Sequence, residues 1–132
     1  MTNTATAIHS FFSGFGLNAF PEYYVPDYYP NSNGELEPVN PPYITYQLIE
    51  PAWDDGGTFY ARIWYKSTTY TEINAKVDEI KAAVDEGISI PIESGGAVYL
   101  SRGTPFVQYM PMEGDDTLKV AYLNFNIQAI TR

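Results

Sequence analysis

Apolar and polar positions alternate most clearly from Thr58 to Lys66. One set of alternate positions holds Phe59, Ala61, Ile63 and Tyr65, and the other holds Tyr60, Arg62, Trp64 and Lys66. Because successive side chains of a β-strand point to opposite faces, this pattern predicts a strand with one apolar face and one aromatic, partly charged face. A half-solvated strand normally carries polar residues on its second face, so we expect Tyr60 and Trp64 to be covered by a helix, another sheet or a neighbouring subunit.

A helix is predicted over Tyr70–Val84, directly after this strand. Its apolar positions recur at intervals of three and four residues and form one stripe, made of Ile73, Val77, Ile80 and Val84. Thr69 and Glu72 have the spacing of a capping box at the start, and Gly87 can adopt the left-handed conformation that ends a helix. Glu72 and Lys76 lie one turn apart and are expected to form an ion pair.

The first 42 residues predict a short helix followed by an arm rich in proline and tyrosine. Residues Thr4–Phe15 predict a short helix with a wide apolar face, ended by glycines at 14 and 16. Residues Leu17–Pro42 carry six of the ten prolines, interleaved with tyrosines, and predict an extended arm or edge strand with its clearest turn at Asn31–Gly34. Two interpretations stay open for this arm: a surface loop, or a segment that lies across a partner.

Outside the strand and helix described above, residues 43–130 predict further strands joined by turns. The expected strands are Tyr43–Ile49, Ile88–Ile92, Ala97–Ser101, Phe106–Met112 and Thr117–Ile130, and the expected turns are Pro51–Gly57, Arg102–Gly103 and Glu113–Asp116. The order indicates an α+β fold with a mostly antiparallel β-sheet and two helices packed on one face. The chain of 132 residues is expected to form a single domain, with a helix at 1–16, the arm at 17–42 and the sheet-and-helix core at 43–132.

Composition narrows the classes of function. The net charge of −9 disfavours nucleic-acid binding, which needs Lys and Arg to replace condensed counterions, although an acidic surface lets DNA pass close by without binding. Twelve tyrosines indicate contact surface as well as core, because Tyr combines a large rigid ring with a polar tip. No apolar run approaches the ~20 residues of a membrane span, and Met1–Thr6 lacks the basic start of a signal peptide, so we expect a protein made in the cytoplasm with no membrane contact.

The sequence offers few candidate catalytic or metal-binding residues. His9 is the only histidine, there is no cysteine, and no serine elbow accompanies them. Asp54–Asp55 and Asp115–Asp116 are the paired carboxylates that a metal or acid/base site would need, but both pairs flank glycine in predicted turns, where Asp is common for its local hydrogen bonds. We therefore expect no catalytic residue, no metal and no cofactor.

Four segments carry a family resemblance, namely Pro42–Gln47, Ala61–Tyr65, Glu72–Lys76 and Gly95–Phe106. In their order and composition the chain resembles the tail terminator proteins, also called minor capsid or tail completion proteins, of long-tailed bacteriophages. The likeness covers roughly Pro42 to Thr131, with the N-terminal helix in the expected place. The arm from Phe20 to Pro41 is an elaboration on this pattern.

The resemblance implies a non-enzymatic virion component of the tail or neck. Such a subunit forms a homo-hexameric ring on the completed tail tube, stops tube polymerisation and joins the tube to the head connector, while DNA passes through the ring. The expected partners are thus further copies of the chain, the tail tube protein and a head–tail connector or neck protein. Candidate contact residues are Tyr23, Tyr24, Tyr28, Tyr29, Tyr60 and Trp64, and candidate lumen-facing acids are Asp54, Asp55, Asp115 and Asp116.

Three alternatives remain beside this interpretation. Another head–tail joining protein would have the same partners without ending the tube. An acidic DNA-mimic inhibitor would show densely ordered carboxylates, whereas those of this chain are dispersed. A small metal-dependent enzyme would need one of the aspartate pairs to meet further ligands in a cleft.

Overall fold

The computed structural model describes residues 4–22, 24–47, 56–92, 95–112 and 115–130. In these segments the elements are α1 (Thr4–Ser13), β1 (Asn18–Pro21), β2 (Tyr28–Pro30), β3 (Leu36–Pro38), β4 (Tyr43–Tyr46), β5 (Gly56–Lys66), α2 (Thr71–Val84), β6 (Ile88–Pro91), β7 (Ala97–Met112) and β8 (Asp115–Ile130). The protein has an α+β fold with a mostly antiparallel sheet, as the sequence predicts.

Six strands form the main sheet in the order β1-β4-β5-β8-β7-β6. Strand β8 lies in the middle and pairs over its length with β5 on one side and β7 on the other. All neighbours are antiparallel except β1 and β4, which run parallel. Strands β2 and β3 form a separate two-stranded sheet.

Both helices cover the same side of the main sheet, which we call the helix face. From α1, the ring of Phe12 meets Phe125 edge-on with centroids 5.6 Å apart and Phe59 at 6.3 Å. Helix α2 contributes its predicted stripe, Ile73, Val77, Ile80 and Val84, each at most 2% exposed. Full burial of such side chains stabilises the fold by about 1.5–3 kcal/mol each, so this layer is the hydrophobic core.

The ends of α2 differ in detail from prediction. Tyr70 occupies the N-cap position without a side-chain capping hydrogen bond, so the capping box predicted for Thr69 and Glu72 is wrong. Instead the Thr69 amide donates to Ser67 Oγ, at 3.2 Å, within a bend before the helix. Lys76 pairs with Glu79 rather than with Glu72, at 2.9 Å.

The helix stop is shared between two residues. Asp85 adopts a positive φ of 48°, and its amide donates to the carbonyl of Lys81 at 2.8 Å. Gly87 follows with φ of 150°, and a Cβ there would overlap the hydroxyl of Tyr99. The predicted glycine is thus required, although the first left-handed residue is Asp85.

The turn predicted at Arg102–Gly103 is wrong, because β7 continues through it. The register against β8 shifts between Arg102 and Val107, so four residues of β7 lie opposite the single residue Asn124. Asn124 fills the irregularity, since its side-chain amide donates to the carbonyl of Pro105 at 2.9 Å. A bulge absorbs the extra residues without reversing the chain, which is why the glycine and proline signals here misled the prediction.

The arm is not a single extended segment. Its first part forms β1, which joins the main sheet, and Phe20 is buried there. Its second part forms the β2–β3 hairpin, closed by the predicted turn at Asn31–Gly34, which is confirmed. The Asn31 side-chain oxygen accepts the amides of Asn33 and Glu35 at 2.8 and 3.1 Å and so fixes this turn.

Candidate interaction surface

The side of the main sheet opposite the helices, which we call the open face, has a composition unlike the rest of the chain. Its central part is made by the outward residues of β5, β8 and β7, namely Thr58, Tyr60, Arg62, Trp64, Lys66, Leu118, Val120, Tyr122, Asn124, Asn126, Gln128, Gln108 and Met110. These strand side chains include two bases, Arg62 and Lys66, and the acid that meets them, Glu22, comes from the arm. Depletion of charge with enrichment of aromatic residues is typical of the core of a protein–protein interface.

Arg62 lies at the centre of the open face among three aromatic rings. Its guanidinium carbon is 4.9 Å from the ring centroid of Tyr122, 5.2 Å from that of Tyr60 and 5.9 Å from that of Trp64. A cation over an aromatic face stabilises by about 0.5–2 kcal/mol, depending on how far it is desolvated. These four residues, with Glu22, are called the Arg62 cluster below.

Glu22 reaches the Arg62 cluster from the turn after β1. Its carboxylate accepts from Arg62 at 3.0 Å and from the Tyr60 hydroxyl at 2.8 Å. The side chains of Arg62 and Glu22 are 24% and 34% exposed, so solvent screens this ion pair only in part. The arm is thereby tied to the middle of the sheet.

A second aromatic group lies beside the cluster. The indole nitrogen of Trp64 donates to the Thr45 hydroxyl at 3.0 Å, and the ring of Tyr43 stacks on Trp64 at 5.9 Å. Burial raises the pKa of Tyr43 above its ordinary value. Each large ring here has a polar partner or a stacked neighbour, which fixes its orientation.

The protein's own arm covers only one end of the open face. Phe20 of β1 meets Tyr29 of the hairpin edge-on at 5.2 Å and Tyr43 at 6.1 Å. At the other end, Gln108 and Met110 are exposed. The open face is therefore covered near β1 and β4 and only partly accessible over β8 and β7, where Gln108 and Met110 are exposed but Val120 is fully buried.

The predicted contact residues fall into two groups. Tyr60 and Trp64 lie half-buried on the open face, where Glu22 of the arm accepts from the Tyr60 hydroxyl and Tyr43 of β4 stacks on Trp64. Their contact with a subunit or partner stays a prediction. Tyr24, Tyr28 and Tyr29 are exposed on the arm. Tyr23 lies outside the described residues.

Two of the four predicted lumen residues lie within the described part of the chain. Asp54 and Asp55 lie outside the described residues. Asp115 and Asp116 are the first two residues of β8 rather than part of the predicted turn at Glu113–Asp116, whose other two residues lie outside the described segments. The hairpin register explains this, because Asp115 already pairs with Met112. The lumen-facing position of Asp115 and Asp116 stays a prediction.

Sequence reasoning missed three members of the open-face arrangement, namely Glu22, Tyr122 and Tyr43. Tyr122 follows the period of two within β8 and could have been assigned to a face. The meeting of Glu22 with Arg62 depends on the parallel pairing of β1 with β4, which no local pattern encodes.

His9, the remaining candidate for a catalytic residue, makes a structural contact. The imidazole Nδ1 of His9 lies 2.8 Å from the Tyr46 hydroxyl, so this pair links α1 to β4. Within the described segments, no group of three or more His, Asp or Glu side chains could hold a metal ion. None of the helices in those segments is long and apolar enough to cross a membrane.

Comparisons with known proteins found no relative of this chain. No protein-family model matches the chain, and the searches of curated proteins and of solved structures returned no match.

Proposed function

We propose that this chain is a tail terminator of a long-tailed bacteriophage. It forms a hexameric ring on the completed tail tube, stops tube polymerisation and presents the surface that joins the head connector. The observation that carries the proposal is the open face, an aromatic surface with two bases and a single paired acid, Glu22, in a strongly acidic chain. The resemblance in the strand–helix segment supplies the family.

Ring geometry supports the proposal in one specific way. A head-to-tail ring needs two different surfaces on each subunit, because the patch that one copy offers is not the patch that its neighbour offers. The chain has two such surfaces. One is the accessible part of the open face, and the other is the exposed β2–β3 hairpin, which forms a separate two-stranded sheet.

The charge supports the role in DNA passage. A ring built from subunits of net charge −9 repels the phosphate backbone and does not retain DNA in transit. This is the opposite of what a DNA-binding protein needs. The protein would then belong to the virion, at the junction of tail and head.

The test combines mass and tube growth. We expect light scattering after size exclusion to give about six subunits, either for the protein alone or after addition of tail tube protein. Electron microscopy should show that the protein stops elongation of tubes. A strict monomer that leaves tube growth unchanged would overturn the proposal.

A surface variant makes the test specific. Tyr122→Ser removes a ring from the accessible part of the open face, and we expect it to weaken ring formation. The matched control is Lys81→Ser on the exposed side of α2, which should assemble normally. A ring that binds the head connector but permits tube growth would indicate another head–tail joining protein.

A further inference from the structure

A cleft lies between the β2–β3 hairpin and the end of the main sheet formed by β1 and β4. Asn18 and Tyr43 are register partners on these two strands, so their side chains lie next to each other on the sheet side of the cleft. Tyr29 and Glu37 are register partners in the hairpin, and Tyr29 meets Phe20 of β1, so the face that they share is turned toward the main sheet. The cleft has a volume of about 440 Å³, within the range of about 300–1,000 Å³ that is usual for small-molecule sites.

Hydrogen bonds within the hairpin hold its side of the cleft in place. The side-chain amide of Asn31 donates to Glu37 Oε1 at 2.8 Å, while its oxygen accepts the two backbone amides of the turn. At the other end of the hairpin, the Val39 amide donates to the Asp27 carbonyl at 2.8 Å. The Glu37 carboxylate is therefore oriented before a ligand arrives, and such preorganisation lowers the entropy cost of binding.

Polar groups along the cleft have hydrogen-bonding capacity left for a ligand. The side-chain amides of Asn18 and Asn40 and the hydroxyl of Ser32 line it, and none of the three side chains has a hydrogen-bond partner among the described residues. Glu37 keeps its second carboxylate oxygen, since Asn31 donates to Oε1. An Asn amide contains both donors and an acceptor, so these groups can bind hydroxyl groups in either direction.

The charge of the cleft argues against an anionic ligand. Of the residues that line it in the described segments, none is Lys, Arg or His, and Glu37 is the single charged one. A phosphate or carboxylate ligand is normally held by basic side chains, and the net charge of −9 would repel it. A purely apolar ligand is unsuitable as well, because it would bury the amides and the carboxylate without hydrogen bonds.

The two tyrosine rings complete the chemistry of the cleft. Tyr29 is 40% exposed and Tyr43 is half-buried, so each ring presents part of its surface. The face of an aromatic ring carries partial negative charge, which attracts the weakly positive C–H groups on one side of a pyranose ring. The hydroxyls of the same sugar can bind the neighbouring amides and the carboxylate.

We propose that this cleft binds a neutral pyranose saccharide. Tyr29 and Tyr43 contact the C–H side of the sugar, and Asn18, Asn40 and Glu37 bind its hydroxyls. Saccharide binding is an activity beyond the terminator role and does not rest on it.

NMR spectroscopy tests the site with three neutral probes. Maltotriose, triacetylchitotriose and lactose, which contain glucose, N-acetylglucosamine and galactose units, are titrated in turn into the isotope-labelled full chain. We expect at least one of them to shift the side-chain amide signals of Asn18 and Asn40 and to receive saturation transferred from the tyrosine rings. If none of the three shifts these signals, or if shifts occur only outside the cleft, the inference is wrong.

Two asparagines of the same arm provide a matched pair of variants. Asn40→Ala removes an amide from the cleft, whereas Asn33→Ala makes the same change at an exposed position of the hairpin turn that does not line it. We expect Asn40→Ala to weaken saccharide binding about tenfold and Asn33→Ala to leave it unchanged. Equal affinity of both variants and the parent would overturn the inference. Circular dichroism should show both variants folded, because both side chains are exposed.

A small cation is the other ligand that two aromatic rings and a carboxylate can hold. Glu37→Gln distinguishes the two ligands, because it removes the charge and keeps an oxygen that accepts from Asn31 and from a sugar hydroxyl. The variant should bind the saccharide within about threefold of the parent. If tetramethylammonium shifts the cleft signals, no saccharide does, and Glu37→Gln abolishes the effect, the cleft is a cation site and the inference is wrong. The terminator proposal is tested separately, by oligomer mass and tube growth.

Discussion

The two faces of strand β5 show how one strand supports two different tasks. On the helix face, Ile63 has no exposed surface and lies among apolar side chains. On the open face, its neighbour Trp64 is half-buried and its indole donates to the Thr45 hydroxyl. The first arrangement excludes water, whereas the second holds a ring in place while leaving part of it available for contact.

Stability and recognition reside on opposite faces of this sheet. Apolar burial on the helix face provides most of the free energy of folding, because it is proportional to the area removed from water. On the open face, hydrogen bonds and cation–π contacts orient the rings, and each contributes only about 0.5–2 kcal/mol. Changes to the two faces should therefore have effects of different size.

The largest effect is expected from Val77→Asp on the helix face. Val77 is 2% exposed, and an unpaired carboxylate buried there should cost more than about 4 kcal/mol and abolish soluble folding. Soluble yield and thermal denaturation followed by circular dichroism measure the effect. The control Lys81→Asp on the exposed side of the same helix should fold, and an unaltered melting temperature for Val77→Asp would contradict the packing of α2 on the sheet.

A neighbouring pair of substitutions on β5 compares the faces directly. Ile63→Ala should lower the free energy of unfolding by about 2–5 kcal/mol, because it leaves a cavity in the core. Trp64→Phe keeps a ring and loses the hydrogen bond to Thr45, so it should cost only about 1 kcal/mol. Urea denaturation measures both values, and equal losses would show that the open face is as much a core as the helix face.

The smallest effect concerns alkaline pH. Burial raises the pKa of Tyr43 on the open face and, as the largest of several influences, that of Tyr65 on the helix face, each above its ordinary value of 10.0. The folded state therefore keeps these protons where the unfolded state loses them. This stabilisation is complete below pH 10 and is lost as pH rises above it.

Phenylalanine variants separate the two tyrosines. Tyr43→Phe and Tyr65→Phe should each flatten the decline in the free energy of unfolding above pH 10. Urea denaturation at a series of pH values, with tyrosinate absorbance at 295 nm as the titration signal, measures the slope. If the free energy of unfolding of both variants declines above pH 10 as steeply as that of the parent, the raised pKa values have no part in alkaline unfolding.

The sequence predicts this fold best where a pattern is local. The period of two in β5 and the apolar stripe of α2 both appear in the structure, because burial of one face is enough to fix each. The turn at Asn31–Gly34 is local as well, since a single Asn side chain organises it. The bulge after Arg102 escaped prediction because its glycine and proline are equally compatible with a chain reversal.

The open face could be predicted only in part. The alternation of side chains along β5 assigns Tyr60 and Trp64 to one side of the strand and predicts that this side is aromatic. It does not say that Glu22, far back in the chain, meets Arg62, because that contact requires β1 beside β4 and β4 beside β5. Long-range register is set by the whole sheet, and no short window of sequence contains it.

The position of β8 has a consequence for synthesis on the ribosome. Strand β8 lies between β5 and β7 in the sheet but follows, along the chain, every other strand that the structure describes. Until it emerges, β5 and β7 have no common neighbour, and each presents an unpaired edge to other nascent chains. The sheet therefore cannot close progressively during translation, and a chaperone that shields these two edges would have the most effect just before β8 leaves the exit tunnel.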